Sequence, residues 1–195
     1  MLTTTLSFDN LHTNGDLFTN LFRARKRSFF MGTKLELPET DGMEYDQYDS
    51  PASRWIAVHE NGKVLAGVRL TPTTAECGVY SYMIRDAQRG LLNTLPSNLM
   101  DYEAPVASHI WEASRVFISD DVSERRLARV QASLVAEMTT AARTLGASQI
   151  IGLMPAQWAR WTEYLGLDVE VVGPEIEVDD TLTKVGVLKL ALRLH

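Results

Sequence analysis

The sequence predicts an α/β sandwich, a mixed sheet covered by helices, and three features carry that reading. Asn61-Gly62 separates two apolar runs, 54–59 and 64–70, the signature of an antiparallel hairpin. A long amphipathic helix follows at 123–145, where Leu127, Val130, Leu134, Met138, Ala141 and Leu145 form one stripe at helical spacing. Strand-like and helix-like segments then alternate, an order that lays helices over a sheet containing parallel pairs. With 195 residues and 45% of them apolar, one domain over 1–195 is expected, its core sufficient without staples.

Element by element, the first helix is expected from Asp16 to about Met31, because Phe18, Leu21, Phe22, Arg25 and Phe29 recur every three or four positions and Gly32 follows. Residues 34–51 are polar and broken by Pro38, Gly42 and Pro51, so they read as a long surface loop; such loops in compact domains lid or line a site. Segment 77–102 is expected to hold a short strand near Val79 and a helical piece over 84–92. Residues 108–118 read as a strand with a polar middle, and Gly146 stands where the long helix would end. A buried strand at 149–153, a helix at 156–165 ended by Gly166, and final strands at 167–172 and 185–194 complete the pattern.

The same composition narrows function. A single cysteine, Cys77, makes no internal disulfide, and neither zinc-type nor calcium-type ligand spacing occurs, so no metal is expected. The opening Met1-Leu2-Thr3-Thr4-Thr5-Leu6 lacks the basic head and apolar stretch of a secretory signal, and apolar runs are far too short for a membrane span. A soluble, cytoplasmic chain with no membrane partner is expected. Its net charge of −6 (19 Lys+Arg, 25 Asp+Glu) argues against nucleic acid as a partner.

Several charges sit where apolar residues belong. Arg25 shares a helical face with Phe18, Phe22 and Phe29; either its stem is buried and its head snorkels out, or a carboxylate or ligand meets it. In the acidic loop Glu44-Tyr45-Asp46-Gln47-Tyr48-Asp49, the aspartates Asp46 and Asp49 suit an ammonium group, a metal, the Arg25 charge, or plain solvent. Arg69 lies alone near the end of a hairpin strand. Glu112 and Arg115 interrupt an apolar strand, and an ideal pleat would aim them at opposite faces unless a bulge brings them together. For Glu112 the readings are a structural ion-pair network or a catalytic carboxylate. Trp158 and Trp161, three apart, read as core or groove lining, and His59 and His109 as structural.

Taken in order, these residues resemble the acyl-homoserine-lactone synthases, the autoinducer synthases of bacterial quorum sensing. Arg25 and Phe29 match an Arg-x-x-x-Phe on the first helix, Asp46 and Asp49 an Asp-x-x-Asp in the next loop, Arg69 an arginine near the end of the hairpin, and Glu112 and Arg115 a Glu-x-x-Arg within Trp111-Glu112-Ala113-Ser114-Arg115. The match runs from about residue 22 to 118 and thins beyond it. Leu35 stands where the family has a tryptophan, Val116 where an aromatic often follows the strand arginine, and no threonine occurs at 152–154.

The resemblance implies a Gcn5-related N-acetyltransferase-like α/β/α sandwich with a largely antiparallel sheet. It implies S-adenosylmethionine as substrate rather than cofactor, and a fatty acyl group carried by acyl carrier protein or coenzyme A. The family's amine attacks the thioester, and the carboxylate then closes the lactone and expels methylthioadenosine. By that likeness Glu112 and Arg115 are catalytic; Arg25, Phe29, Asp46, Asp49, Arg69 and Ser114 bind S-adenosylmethionine; and Met154, Trp158 and Trp161 line the acyl pocket. Arg125, Arg126, Arg129 and Arg143 form a candidate basic patch for an acidic carrier, or an ordinary solvated face. No glycine-rich pyrophosphate loop is evident over 119–126, which favours a carrier-protein donor. Competing expectations are an N-acyltransferase acting on another amine without lactonisation, and a non-catalytic metabolite sensor.

Overall fold

The computed structural model describes residues 1–27, 38–156, 158, 162, 165–178 and 181–190. Strand β1 (Leu2–Leu6) leads through one 3-10 turn into helix α1 (Leu11–Arg27), irregular at Asn14. A two-residue hairpin of β2 (Glu39–Thr40) and β3 (Met43–Glu44) precedes the longer hairpin of β4 (Arg54–Glu60) and β5 (Lys63–Pro72). Then come α2 (Met83–Gln88), β6 (Ile110–Ile118), α3 (Glu124–Thr144), β7 (Gln149–Pro155), β8 (Val169–Val171), β9 (Ile176–Val178) and β10 (Thr181–Lys189).

The main sheet runs β1-β4-β5-β6-β7-β10-β8, with β9 also paired to β10. All its pairings are antiparallel except β6 with β7, which α3 joins as the crossover that a parallel pair requires. The expected mixed, largely antiparallel sheet is therefore present. Both hairpins turn through residues of positive φ, Asn61 and Gly62 at 51° and 79°, and Asp41 and Gly42 at 51° and 73°. Two consecutive positive φ values make the type I′ turn whose twist matches the strands.

Two apolar layers sandwich the sheet. On one face Val130 and Leu134 of α3 pack with Ile56, Val58, Val68 and Ala113. On the other, Leu21 and Phe22 of α1 meet Trp55, Ala57 and Phe117. Gly67 permits that approach, since a Cβ there would lie 2.6 Å from the Phe117 ring and 2.8 Å from Leu21. Ile84 and Ala87 of α2 share a third cluster with Ile151, Val185 and Val187.

The central strand β6 is bulged. Gly67 pairs with Phe117 and Arg69 with Ser114, so Arg115 and Val116 together oppose Val68, and Arg115 takes φ 54°. The extra residue keeps Arg115 on the α1 face beside Ser114 and Glu112, and returns Val116 to the α3 face. Pairing of β6 with β7 covers only Ile110–Ala113 against Gln149–Gly152, and beyond Ala113 and Gly152 the two strands part.

Some expectations need correction. The polar stretch over 34–51 is not a surface loop where it is described: it holds β2 and β3, and Glu44, Asp46 and Tyr48 are buried, because their charges and hydroxyl are met by buried partners. Val79 is exposed in a turn closed by a single Cys77–Tyr80 bridge, and the following helix spans 83–88 instead of 84–92. Strands β1 and β9 were not foreseen. The last strand starts four residues earlier than expected, at Thr181. Much of the helix expected at 156–165 lies outside the described residues, although Trp158 and Thr162 are helical. Among the described residues, no helix is long and apolar enough to cross a membrane.

Candidate active site

On the α1 face, three guanidiniums meet three carboxylates. Arg25, near the end of α1, grips Asp49 with both terminal nitrogens, at 3.0 and 2.7 Å, and donates to the Glu44 carbonyl at 2.7 Å. Its ring neighbour Phe22 lies 4.6 Å below the guanidinium. Arg69 of β5 donates to both oxygens of Asp46, to Asp49 Oδ1 at 2.9 Å and to Ser114 Oγ at 3.1 Å. The bulge delivers Arg115, whose Nε donates to Asp46 Oδ2 at 2.9 Å, while its Nη1 stands 3.5 Å from Glu44 Oε1. Trp55 Nε1–H donates to Asp49 Oδ1 at 3.0 Å.

The loop bearing the aspartates is folded around them. Asp46 Oδ1 accepts from the Tyr48 amide, an Asx turn, and Asp49 Oδ2 reaches back to the Asp46 amide, both at 2.9 Å. Burial alone would raise the proton affinity of these carboxyls. At Asp46 the Arg69, Arg115 and Arg25 charges outweigh it and hold the carboxyl far below the usual aspartate range. Asp49 is lowered in the same way by Arg69 and Arg25. Asp46 and Asp49 in turn push the Arg69 guanidinium above its ordinary value despite complete burial.

Glu112 stands apart in character. It has no solvent exposure, and its two oxygens accept the amides of Met83 and Ile84, at 3.1 and 2.8 Å, at the start of α2. Burial raises its pKa from 4.5 to about 7, against the lowering effect of those amides and of Arg69. A carboxylate has about four acceptor sites, so two amides leave Glu112 able to take a further proton or water.

On the α3 face, a cavity of about 110 Å³ lies between the sheet, α3 and the two helical residues Trp158 and Thr162. Its lining is nearly all apolar and includes Ala113, Val116, Gly152, Met154, Trp158 and Gly186. Glu112 thus faces the charged cluster while its neighbour Ala113 faces the cavity. The strands that separate the two compartments, β6 and β7, part at that residue.

Of the residues singled out in the sequence, Arg25, Asp46, Asp49, Arg69, Glu112, Ser114 and Arg115 gather on the charged face, and Met154 and Trp158 line the cavity. Phe29, Leu35 and Trp161 lie outside the described residues. Among the candidate basic residues, Arg126 bonds Glu60 at 3.0 Å, and Arg125 and Arg129 are exposed. Sequence reasoning missed Glu44, which carries a buried Oε1 with no hydrogen bond between Arg25 and Arg115. Asp41-Gly42 just before it is a hairpin signal that would have marked it as structured. It also missed Asp86, fully buried, which accepts from Tyr48 Oη at 3.1 Å, from the Ser81 amide at 2.8 Å and from Arg89 at 3.0 Å.

The bulged central strand, the parted parallel pair and the apolar cavity behind the parting sit on an α/β sandwich of the Gcn5-related N-acetyltransferase-like kind. The family model described as autoinducer synthase matches residues 9–189, and the chain belongs to that family. The acyl-homoserine-lactone synthase of Vibrio anguillarum is 31% identical over 107 residues, a match spanning 54% of this chain and about half (49%) of that relative. That of Aeromonas salmonicida is 22% identical over 171 residues, covering 86% of this chain and 77% of the relative. In fold, the chain is similar to BjaI, a coenzyme-A-dependent acyl-homoserine lactone synthase solved with S-adenosylmethionine and isopentyl-coenzyme A: TM-score 0.75, 24% identity, 97% of this chain and 83% of that one covered. An acyl-coenzyme A N-acyltransferase from Pseudomonas aeruginosa shares the architecture at TM-score 0.56 and 15% identity, over 95% of this chain and 97% of its own.

Proposed function

We propose that this chain, acting as one domain in the cytoplasm, joins a fatty acyl group from an acyl thioester to the amine of S-adenosylmethionine and closes the product to an acyl-homoserine lactone. The observation that carries this reading is the placement of Glu112 and Ala113. Consecutive residues face a charged compartment and an apolar cavity at the point where the sheet opens, so an amine and an acyl chain held on opposite faces would meet there.

An α-ammonium has no lone pair to attack with, so it must first lose a proton. Glu112 supplies the acceptor, directly or through one water, with a proton affinity near neutrality that lets it both take and release the proton. The freed amine adds to the thioester carbonyl, the C–S bond of the thioester breaks, and the thiol leaves with a proton. The carboxylate of the acylated product then attacks its own γ-carbon and the bond to the sulfonium breaks. A neutral lactone and neutral methylthioadenosine result, with no cofactor consumed.

Charge accessibility divides the binding work. The Arg115 side chain is 14% exposed, against 3% for Arg25 and none for Arg69. Arg115 is therefore the cation that reaches the substrate carboxylate, with Ser114 beside it. Arg25 and Arg69 hold Asp46 and Asp49 in place, and those carboxylates set a negative potential for the sulfonium and ammonium. Met154 and Trp158, which line the cavity, take the acyl chain. The donor is acyl carrier protein or coenzyme A, with the α3 arginines as the landing for an acidic carrier.

Incubation of the purified chain with S-adenosylmethionine and acyl donors tests the proposal. Release of methylthioadenosine together with a lactone supports it. Acyl transfer to another amine without methylthioadenosine, or binding without turnover, overturns it in favour of a plain N-acyltransferase or a sensor.

A further inference from the structure

The floor of the cavity is built from missing side chains. Ala113 pairs with Gly152 across β6–β7, and Gly152 pairs with Gly186 across β7–β10, so three of the smallest residues lie in one register row across three strands. All three line the cavity. The two glycines differ in what they make room for. A Cβ on Gly152 would lie 2.9 Å from the Ala113 carbonyl oxygen, so this glycine lets β6 and β7 close up just before they part. A Cβ on Gly186 would lie 2.8 Å from Met154 Cε, 3.2 Å from its Sδ and 3.0 Å from Val169 Cγ1. Gly186 is therefore the seat of the Met154 thioether, and Met154 itself is a cavity wall.

We propose that Gly186, by seating the Met154 side chain against β10, sets the length of acyl chain this enzyme accepts. The inference rests on the acyl-transfer reading above and deepens it by naming the specificity determinant. β10 lies two strands from β6 in the sheet, so this wall is on the far side of the cavity from Glu112, where the end of the chain arrives. Methionine is flexible enough to be displaced rather than to break the sheet. Restoring an ordinary carbon contact of about 3.5–4.0 Å moves the thioether by roughly 1 Å, about one methylene of depth. One buried methylene, ~0.8 kcal/mol, converts to about a fourfold change in relative kcat/KM.

The test compares kcat/KM for two donors that differ by two carbons at the upper end of the range the wild type uses. Gly186→Ala lowers the longer-to-shorter ratio by about fourfold or more. Met154→Ala, which only removes atoms, raises it by a similar factor, and the Gly186→Ala/Met154→Ala pair returns toward the wild-type ratio. A sheet merely damaged at Gly186 would not be rescued by deleting a neighbouring thioether. An unchanged ratio in both single variants, or a fall in Gly186→Ala that the pair does not restore, overturns the inference alone. A wild type that releases no methylthioadenosine with either donor overturns the acyl-transfer reading and this inference with it.

Discussion

Glu112 and Arg115 face the same side of β6 although three positions apart, because Arg115 adopts φ 54° within a bulge opposite Val68. Positive φ is costly for a residue with a side chain, of order 1–3 kcal/mol. Here the strain is held by two ion pairs, to Asp46 and to Glu44. The distortion aims a cation into the compartment where Glu112 waits, two residues past the last β6–β7 pair.

If Glu112 carries the proton, Glu112→Gln keeps an oxygen for one of the α2 amides while removing the base. Turnover falls by about 10²–10⁴-fold, the usual worth of a general base, with the fold intact. Methylthioadenosine release against pH in the wild type rises along a limb near 7. Unchanged turnover in the variant would take Glu112 out of the chemistry.

Stability should also follow this carboxyl. Its folded pKa of about 7 exceeds the ordinary 4.5, so over that window the folded chain keeps a proton that the unfolded chain has lost. Stability therefore declines as pH rises from 4.5 toward 7, and Glu112→Gln flattens the slope. Asp46 and Asp49 act with opposite sign: lowered below the ordinary 3.8, they stabilise fully above it and lose that contribution as pH falls. Urea denaturation across pH, wild type against Glu112→Gln and Asp46→Asn, separates the two limbs.

Arg69 is fully buried and bonds two carboxylates at once, so Arg69→Ala leaves buried negative charge without its partner. A loss of about 3–5 kcal/mol follows. Arg69→Lys restores the charge and not the fork, and recovers only part of it. Chemical denaturation at neutral pH measures both.

Asp86 acts at a distance. It ties the residues before α2 and the Tyr48 hydroxyl together, and α2 supplies the amides that hold Glu112. Asp86→Asn loosens that tether, so Glu112 loses donors that favour its ionised form. The pH limb of turnover moves above about 7, further than in Tyr48→Phe. A drop in activity with no movement of the limb would make Asp86 a structural residue only.

Much of this site was legible because charge placed on apolar periodicity is a contradiction that tertiary structure must resolve. Arg25 on a phenylalanine stripe, Arg69 in a strand and Glu112 in a buried run each flagged a partner, and the structure puts Arg25 on Asp49, Arg69 on Asp46, and Glu112 on the amides of α2. The bulge was one of two readings of Glu112 and Arg115, and pleat alternation could not choose between them. Glu44 and Asp86 stayed hidden because nothing around them is apolar enough to make a carboxylate look misplaced. Strand β1 stayed hidden too: Leu2-Thr3-Thr4-Thr5-Leu6 owes its pairing to β4, a partner some fifty residues away.

Three cations against three anions in one buried knot has a consequence for descent. Losing any single member strands a charge, so a lineage that gives up the reaction has no stepwise path out of the set and would keep all six. The cavity carries no such lock, since apolar residues trade places at little cost. Decay of the proposed activity should thus show first in the greasy wall and last in the ionic signature.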